Sequence, residues 1–339
     1  MRGSVFSLRK VQIGEESVPG TAVAAEEILL ATAEIELDYP LFRNAAPIGQ
    51  MAANAGPTKL LKKDVNITLD FDGLTFEQAG WVLGMIDKAA TAGTGPYTHD
   101  YAPGVAALWA PETYTIEGEW TDGAIAEDVE FEYAMARALT FSIEQGGQLK
   151  VSADMFARQA TDAAITSLTL PTTLSPIVAS QGIFYVRDTY ALADVTPPIA
   201  GGWDGGVILS AELAIDLGIA PFHGVSGKEY FTEHKETAKN CELTMTVLYD
   251  TAASDSALAE RAKAQSESLR FVTLHFDGPS THSLRLTVAG KHEMGDFLGM
   301  TEQDGLDVVT MKIIGHYDPT GANLVTAELV NSEADPLEA

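Results

Sequence analysis

Glu34-Ile35-Glu36-Leu37-Asp38 alternates polar and apolar residues, and Glu212-Leu213-Ala214-Ile215-Asp216 repeats the pattern 178 positions later. Period-two alternation marks a β-strand with one buried and one solvent face. Val65-Asn66-Ile67-Thr68-Leu69-Asp70-Phe71-Asp72 reads as a second strand. Shifted by the same 178, it meets Leu243-Thr244-Met245-Thr246-Val247-Leu248-Tyr249-Asp250, apolar on apolar, with the closing Asp identical. Two strand matches at one offset, separated by loops of equal length, predict a repeated unit.

The downstream elements extend the correspondence. Leu74 to Ile86 spaces Phe76, Ala79, Trp81, Val82, Leu83 and Ile86 as the buried face of a helix. Ser254 to Ser268 does the same with Ala257, Leu258, Arg261, Ala262 and Ala264, and Ser254 can serve as N-cap. Each half then predicts a closing hairpin. In the first, Ala138–Glu144 turns at Gly146-Gly147 into Leu149–Met155. In the second, Val309–Ile313 runs through Asp318-Pro319-Thr320-Gly321 into Leu324–Leu329.

The expected fold is therefore mainly β, a sandwich or partial barrel with one flanking helix, in two tandem copies. The copies are placed at 1–175 and 176–339, with the boundary inside 162–206. Pro171, Pro176, Pro197, Pro198 and Gly201-Gly202-Trp203-Asp204-Gly205-Gly206 break regular structure there. The tail from Asn331 to Ala339 reads as short, polar and mobile.

Loops 40–62 and 217–237 follow the first strand of each copy. Structureless loops of about 20 residues are uncommon and often functional. Leu41, Phe42, Ile48, Met51, Leu60 and Leu61 make the first too apolar to stand in water uncovered. It either folds back on its own domain or contacts a neighbouring subunit or ring.

Composition excludes several classes. Of 339 residues, 46% are hydrophobic and 20% charged, enough apolar mass for an ordered core. A net charge of −27 is wrong for general DNA binding, which needs clustered Lys and Arg. The acidity serves solubility, or a surface that must lie near DNA without holding it. Apolar runs fall short of the roughly 20 residues of a spanning helix, and Met1–Lys10 lacks an apolar signal core, so neither membrane insertion nor secretory export is expected. The lone Cys241 excludes an internal disulfide and reads as a small buried side chain.

The search for chemistry returns no catalytic, cofactor-binding or metal-binding residue. His292-Glu293 begins a zinc-protease motif that fails at Asp296. Gly224-Val225-Ser226-Gly227-Lys228 fails as a P-loop at Phe222 and Glu229, and as a nucleophile elbow at Lys228. Asp70-Phe71-Asp72-Gly73 lacks the further acids of a calcium loop. Asn66-Ile67-Thr68 is a glycosylation sequon in the middle of a strand, and is discounted.

Several stretches, taken in order, resemble the tail tube (major tail) proteins of long-tailed, siphovirus-type bacteriophages. They are Gly14-Glu15-Glu16-Ser17-Val18-Pro19-Gly20-Thr21-Ala22, the Leu69-Asp70-Phe71-Asp72-Gly73-Leu74 junction, Gly95–Pro103 with Pro111–Glu117, and Tyr317–Gly321. The resemblance covers most of the chain. It implies a tube domain whose sheet joins its neighbours' sheets in one inner barrel. A duplicated member would form trimeric, pseudo-hexameric rings that stack into a channel for genome ejection. The implied partners are other copies of the chain, with the tape measure, tail terminator and distal tail proteins, and genomic DNA would transit unbound. The implied location is the virion tail, after synthesis in the host cytoplasm.

Ring closure also answers a physical need, since it removes unpaired sheet edges. Polar strand faces suit a lumen, and Glu34, Glu36, Asp38, Thr140, Ser142, Glu144, Asp154, Glu242, Thr244 and Thr246 are the candidates to line it. The competing readings are a two-domain β-sandwich binding module or adhesin on a virion or cell surface, and a hydrolase of unfamiliar type. The first leaves the repeated long loop unexplained; the second lacks any nucleophile, metal or phosphate motif.

Overall fold

Burial alternates residue by residue along Asn240–Leu248, with Cys241, Leu243, Met245 and Val247 inside. Asp64–Phe71 buries Val65, Ile67, Leu69 and Phe71 in the same way. Side chains that alternate across a pleat make a sheet with one core face and one free face. The computed structural model describes residues 9–42, 59–103, 112–121, 126–190, 202–204, 207–249, 256–293, 300–303, 305–319 and 324–337.

The first half of the chain runs β1 (Lys10–Glu15), β2 (Thr32–Asp38), β3 (Asp64–Phe71), α1 (Ala79–Gly84), β4 (Tyr97–Tyr101), β5 (Tyr114–Thr121), β6 (Ala126–Glu144), β7 (Lys150–Ala157) and β8 (Gln159–Asp162). The second runs β9 (Gly182–Arg187), β10 (Ile208–Asp216), β11 (Asn240–Leu248), α2 (Ala257–Gln265), β12 (Arg270–Asp277), β13 (Ser283–His292), β14 (Met300–Gln303), β15 (Leu306–Gly315) and β16 (Val325–Asn331).

One pairing scheme occurs twice. In the first half β2–β3–β7–β6 is one ladder, and β1–β5–β6–β8 is a second that shares β6. In the second half β10–β11–β15–β13 and β9–β12–β13–β16 repeat the arrangement around β13. The shared strand must bend from one sheet to the other. β6 bends where its register slips between Phe131 and Ala134, and Tyr133 there takes a φ of 55°. β13 bends beside Gly290, where a Cβ would lie 2.5 Å from the Ile314 carbonyl.

The halves are fused by hydrogen bonding. β6 pairs with β10 from Ala138↔Asp216 to Glu144↔Ser210. The central sheet therefore runs β2–β3–β7–β6–β10–β11–β15, with β13 and β14 along the far edge of β15. Its apolar face carries Ile67, Phe141, Ala153, Leu213, Leu243 and Met311 into one core with Trp81 and Val82 of α1. β4 adds to β16, which joins the halves a second time.

Five sequence expectations change. The helix expected over 74–86 shrinks to Ala79–Gly84, because Leu74 and Phe76 spend backbone bonds on Leu149, Ser175 and Ile177 instead of on a helical turn. The cap of α2 is Ser256, whose hydroxyl accepts from Ala259 N–H at 3.1 Å; Ser254 lies outside the described residues. The second hairpin does not form: β15 and β16 are separated by β13, and β15 matches β7 rather than β6.

The loops of the repeat are not of equal length. Glu34 faces Thr68 but Glu212 faces Thr244, only 176 residues beyond Thr68, and this two-residue difference leaves every side chain on its face. The tail is not loose, either. Asn331 and Glu333 bond to buried His99, and the Pro336 carbonyl sits so close to Gly80 that a Cβ there would lie 1.7 Å from it.

Candidate functional site

Directly opposed residues in an antiparallel ladder project from the same face. Following the ladders outward from Ser142 therefore maps the free face of the central sheet. Ser142 faces Lys150 on one side and Glu212, Thr244 and Lys312 on the other. The neighbouring rows are Thr32–Asp70–Ser152–Thr140–Ala214–Glu242 and Glu34–Thr68–Asp154–Ala138–Asp216. Glu144 lines up with Ser210, Thr246 and Thr310. Glu36 faces Asn66, and Asp38 faces Asp64.

All ten polar candidates thus share one face, across both halves. Glu34, Glu36, Glu144 and Asp154 are exposed; Asp38, Thr140, Ser142, Glu242, Thr244 and Thr246 are half-buried. The strand-by-strand reading missed Asp70, Glu212 and Asp216, which are carboxylates on the same face. Their alternation was visible, but which strands share a sheet was not.

Cations on this face are already engaged. Lys312 bridges Glu242 at 3.1 Å and Glu293 at 3.2 Å, and those hydrogen bonds raise its pKa. Lys62 joins Asp38 and Asp64, Lys150 joins Asp72, and Arg137 reaches Asn66 and Asp154. Among the described residues no ion pair reaches Glu34, Glu36, Glu144 or Glu212. The face is acidic on balance, so it repels a phosphate backbone.

The sheet ends in two open edges. Among the described residues, β2 pairs only with β3, and β14 only with β15. Both edges leave apolar surface uncovered on the core side: Leu37 is 52% exposed and Met300 56%. An edge of that kind is a template for another strand.

Both long loops close through β-ribbon pairing among their described residues. Leu41–Phe42 pairs with Lys59–Leu60, and residues 43–58, with Ile48 and Met51, lie outside the described residues. Leu41, Phe42 and Leu61 are exposed and Leu60 half-buried, so among the described residues nothing in the same chain covers them fully. The second ribbon, Ile219–Phe222 with Glu233–Glu236, folds onto the first half of the chain. His223 bonds Asp64 at 2.8 Å, Lys63 N–H donates to the Glu229 carbonyl, and buried Phe231 stacks edge-on against Tyr133 and Phe156.

The first resembling segment, Gly14–Ala22, is structural. The carboxylate of buried Glu16 accepts from Gly20 N–H, Tyr133 N–H and the Thr115 hydroxyl, pinning the loop to the bend of β6. Burial pushes its pKa up, against the hydrogen bonds that favour the charge. Cys241 is buried and its thiol is pushed up to about 12. The Gly224–Lys228 segment lies in the turn of the second ribbon. Among the described residues no His, Cys, Asp and Glu cluster could hold a metal, and no helix is long and apolar enough to cross a membrane.

A family model described as phage tail tube protein matches residues 7–328. The chain belongs to the phage tail tube protein family. It is a structural protein of the virion tail, and its family is not a class of enzymes. The family's members assemble with themselves into a tube. No curated protein matches the chain.

Proposed function

We propose that three copies of this tail tube protein close head to tail into a ring, and that rings stack into the channel through which the phage genome leaves. The observation that carries this is the β6·β10 ladder, in which the two halves of one chain already join edge to edge across seven residue pairs from Ala138 to Glu144. A head-to-tail contact that rotates by a fixed angle closes into a ring. The halves would be copies of one tube domain, divided within 162–206 near residue 176, so three chains would present six domains. Eight strand positions per chain would then give an inner barrel of about 24 strands.

The acidic face with Glu34, Glu36, Asp38, Thr140, Ser142, Glu144, Asp154, Glu242, Thr244 and Thr246 would line the lumen, and DNA would slide past it unbound. Loop 40–62, with Leu41, Phe42, Ile48, Met51, Leu60 and Leu61, would contact a neighbouring subunit or ring. Further partners would be the tape measure, tail terminator and distal tail proteins, met after synthesis in the host cytoplasm. Negative-stain microscopy of purified protein tests the reading. Rings or hollow tubes are expected, and particles without a channel at every concentration would refute it. Removing residues 43–58 should leave a folded protein that no longer polymerises.

A further inference from the structure

The within-chain joint is a template for the joint between chains, because the same elements flank both. Thr68 and Thr244 occupy matching places: each faces the first strand of its half, at Glu34 and at Glu212. On their other sides they face Asp154 and Lys312, so Lys312 stands in the second half where Asp154 stands in the first. Four residues earlier on those strands, Lys150 faces Ser142 and Val308 faces Thr301. Thr301 therefore stands where Ser142 does, and Met300 where Phe141 does. Within the chain Ser142 faces Glu212 and Phe141 faces Leu213, the counterparts of Glu34 and Ile35.

Resting on the ring reading above, we infer that β2 of one copy pairs antiparallel with β14 of the next in a single register, with Glu34 opposite Thr301 and Ile35 opposite Met300. The side chains agree with it. Phe141 and Leu213 are buried at 1% and 0%, whereas Met300 is 56% exposed and Ile35 only half-covered. Placing Ile35 against Met300 continues the apolar row of the core across the joint, while Glu34 and Thr301 stay on the acidic face. A slip of one residue would put Ile35 over the polar face and Glu34 over the core. A slip of two would keep the faces but lose the match to the within-chain ladder.

Paired cysteines read the register directly. Opposed residues in an antiparallel ladder have Cα atoms about 4.5–5.5 Å apart, inside the range a disulfide spans, and diagonal neighbours lie roughly 7–8 Å apart, outside it. In one chain β2 and β14 are seven strand spacings apart, roughly 34 Å, so any disulfide between them joins two copies. Assembled Glu34→Cys/Thr301→Cys protein, mildly oxidised, should run as covalent dimers and trimers on denaturing gels. Each single variant and the offset pair Glu36→Cys/Thr301→Cys should remain monomeric. If wild-type protein forms rings or tubes but the offset pair links, or neither pair does, the register is wrong and the ring survives. If wild-type protein forms no ring at all, the ring reading fails and the register falls with it.

Discussion

Replacing Phe231 by Ala should release the second ribbon from the first half of the chain. Phe231 is fully buried, with ring centroids 5.1 Å from Tyr133 and 5.4 Å from Phe156. Truncating a buried Phe to Ala costs about 3–5 kcal/mol, and each edge-on ring pair accounts for about 1 kcal/mol of that. The contacts that remain include His223 to Asp64, the Lys63 N–H to the Glu229 carbonyl, the Tyr133 hydroxyl to His234 at 3.2 Å, and Arg158 to the Phe231 carbonyl at 3.1 Å. Each of these contacts is already present in the wild type, so none of them offsets the loss. A cost of about 4 kcal/mol shifts the docking equilibrium roughly a thousandfold. Amide exchange in Ile219–Phe222 and Glu233–Glu236 should accelerate on that scale, and trypsin should cut after Lys228. The urea midpoint should move less, because the global loss cannot exceed the docking free energy of the ribbon. Unchanged exchange in the ribbon, or a full global loss without local opening, would refute the reasoning.

Gly80→Ala places a methyl group 1.7 Å from the Pro336 carbonyl, so the tail must leave α1. Residues 332–337 should become protease-sensitive while the far-ultraviolet circular dichroism stays that of a β protein. Glu260 is buried, which by itself raises its pKa, but hydrogen bonds from His292 and Arg270 and the charges of Arg270 and Lys263 hold it below its ordinary 4.5. Because its folded pKa is depressed, its contribution is complete above about pH 4.5 and is lost as pH falls through the folded value. Thermal melts should therefore show wild type losing stability faster than Glu260→Gln as the medium is acidified below about pH 4.5, and parallel curves would count against the network. Glu36→Lys with Glu144→Lys should leave tubes intact but slow DNA ejection from particles, and unchanged ejection would count against electrostatic repulsion by the lumen.

Sequence alone determined what depends on period and composition. Alternation put Glu34 and Glu36 opposite Ile35 and Leu37, and Glu242 and Thr244 opposite Leu243, because a pleat admits no other arrangement. The net charge of −27 told against general DNA binding, which needs clustered Lys and Arg. Partnership was not legible there, since a strand's pattern specifies its faces but not which strand lies beside it. Only the tertiary structure could insert β13 between β15 and β16, or match β15 to β7. The same limit hid the fate of α1 and the tail: a backbone carbonyl lodged against Gly80 leaves no periodic trace, and His99 gives no sign in sequence that its partners are Asn331 and Glu333. Faces follow from local sterics, whereas neighbours are chosen by contacts that reach across more than two hundred residues.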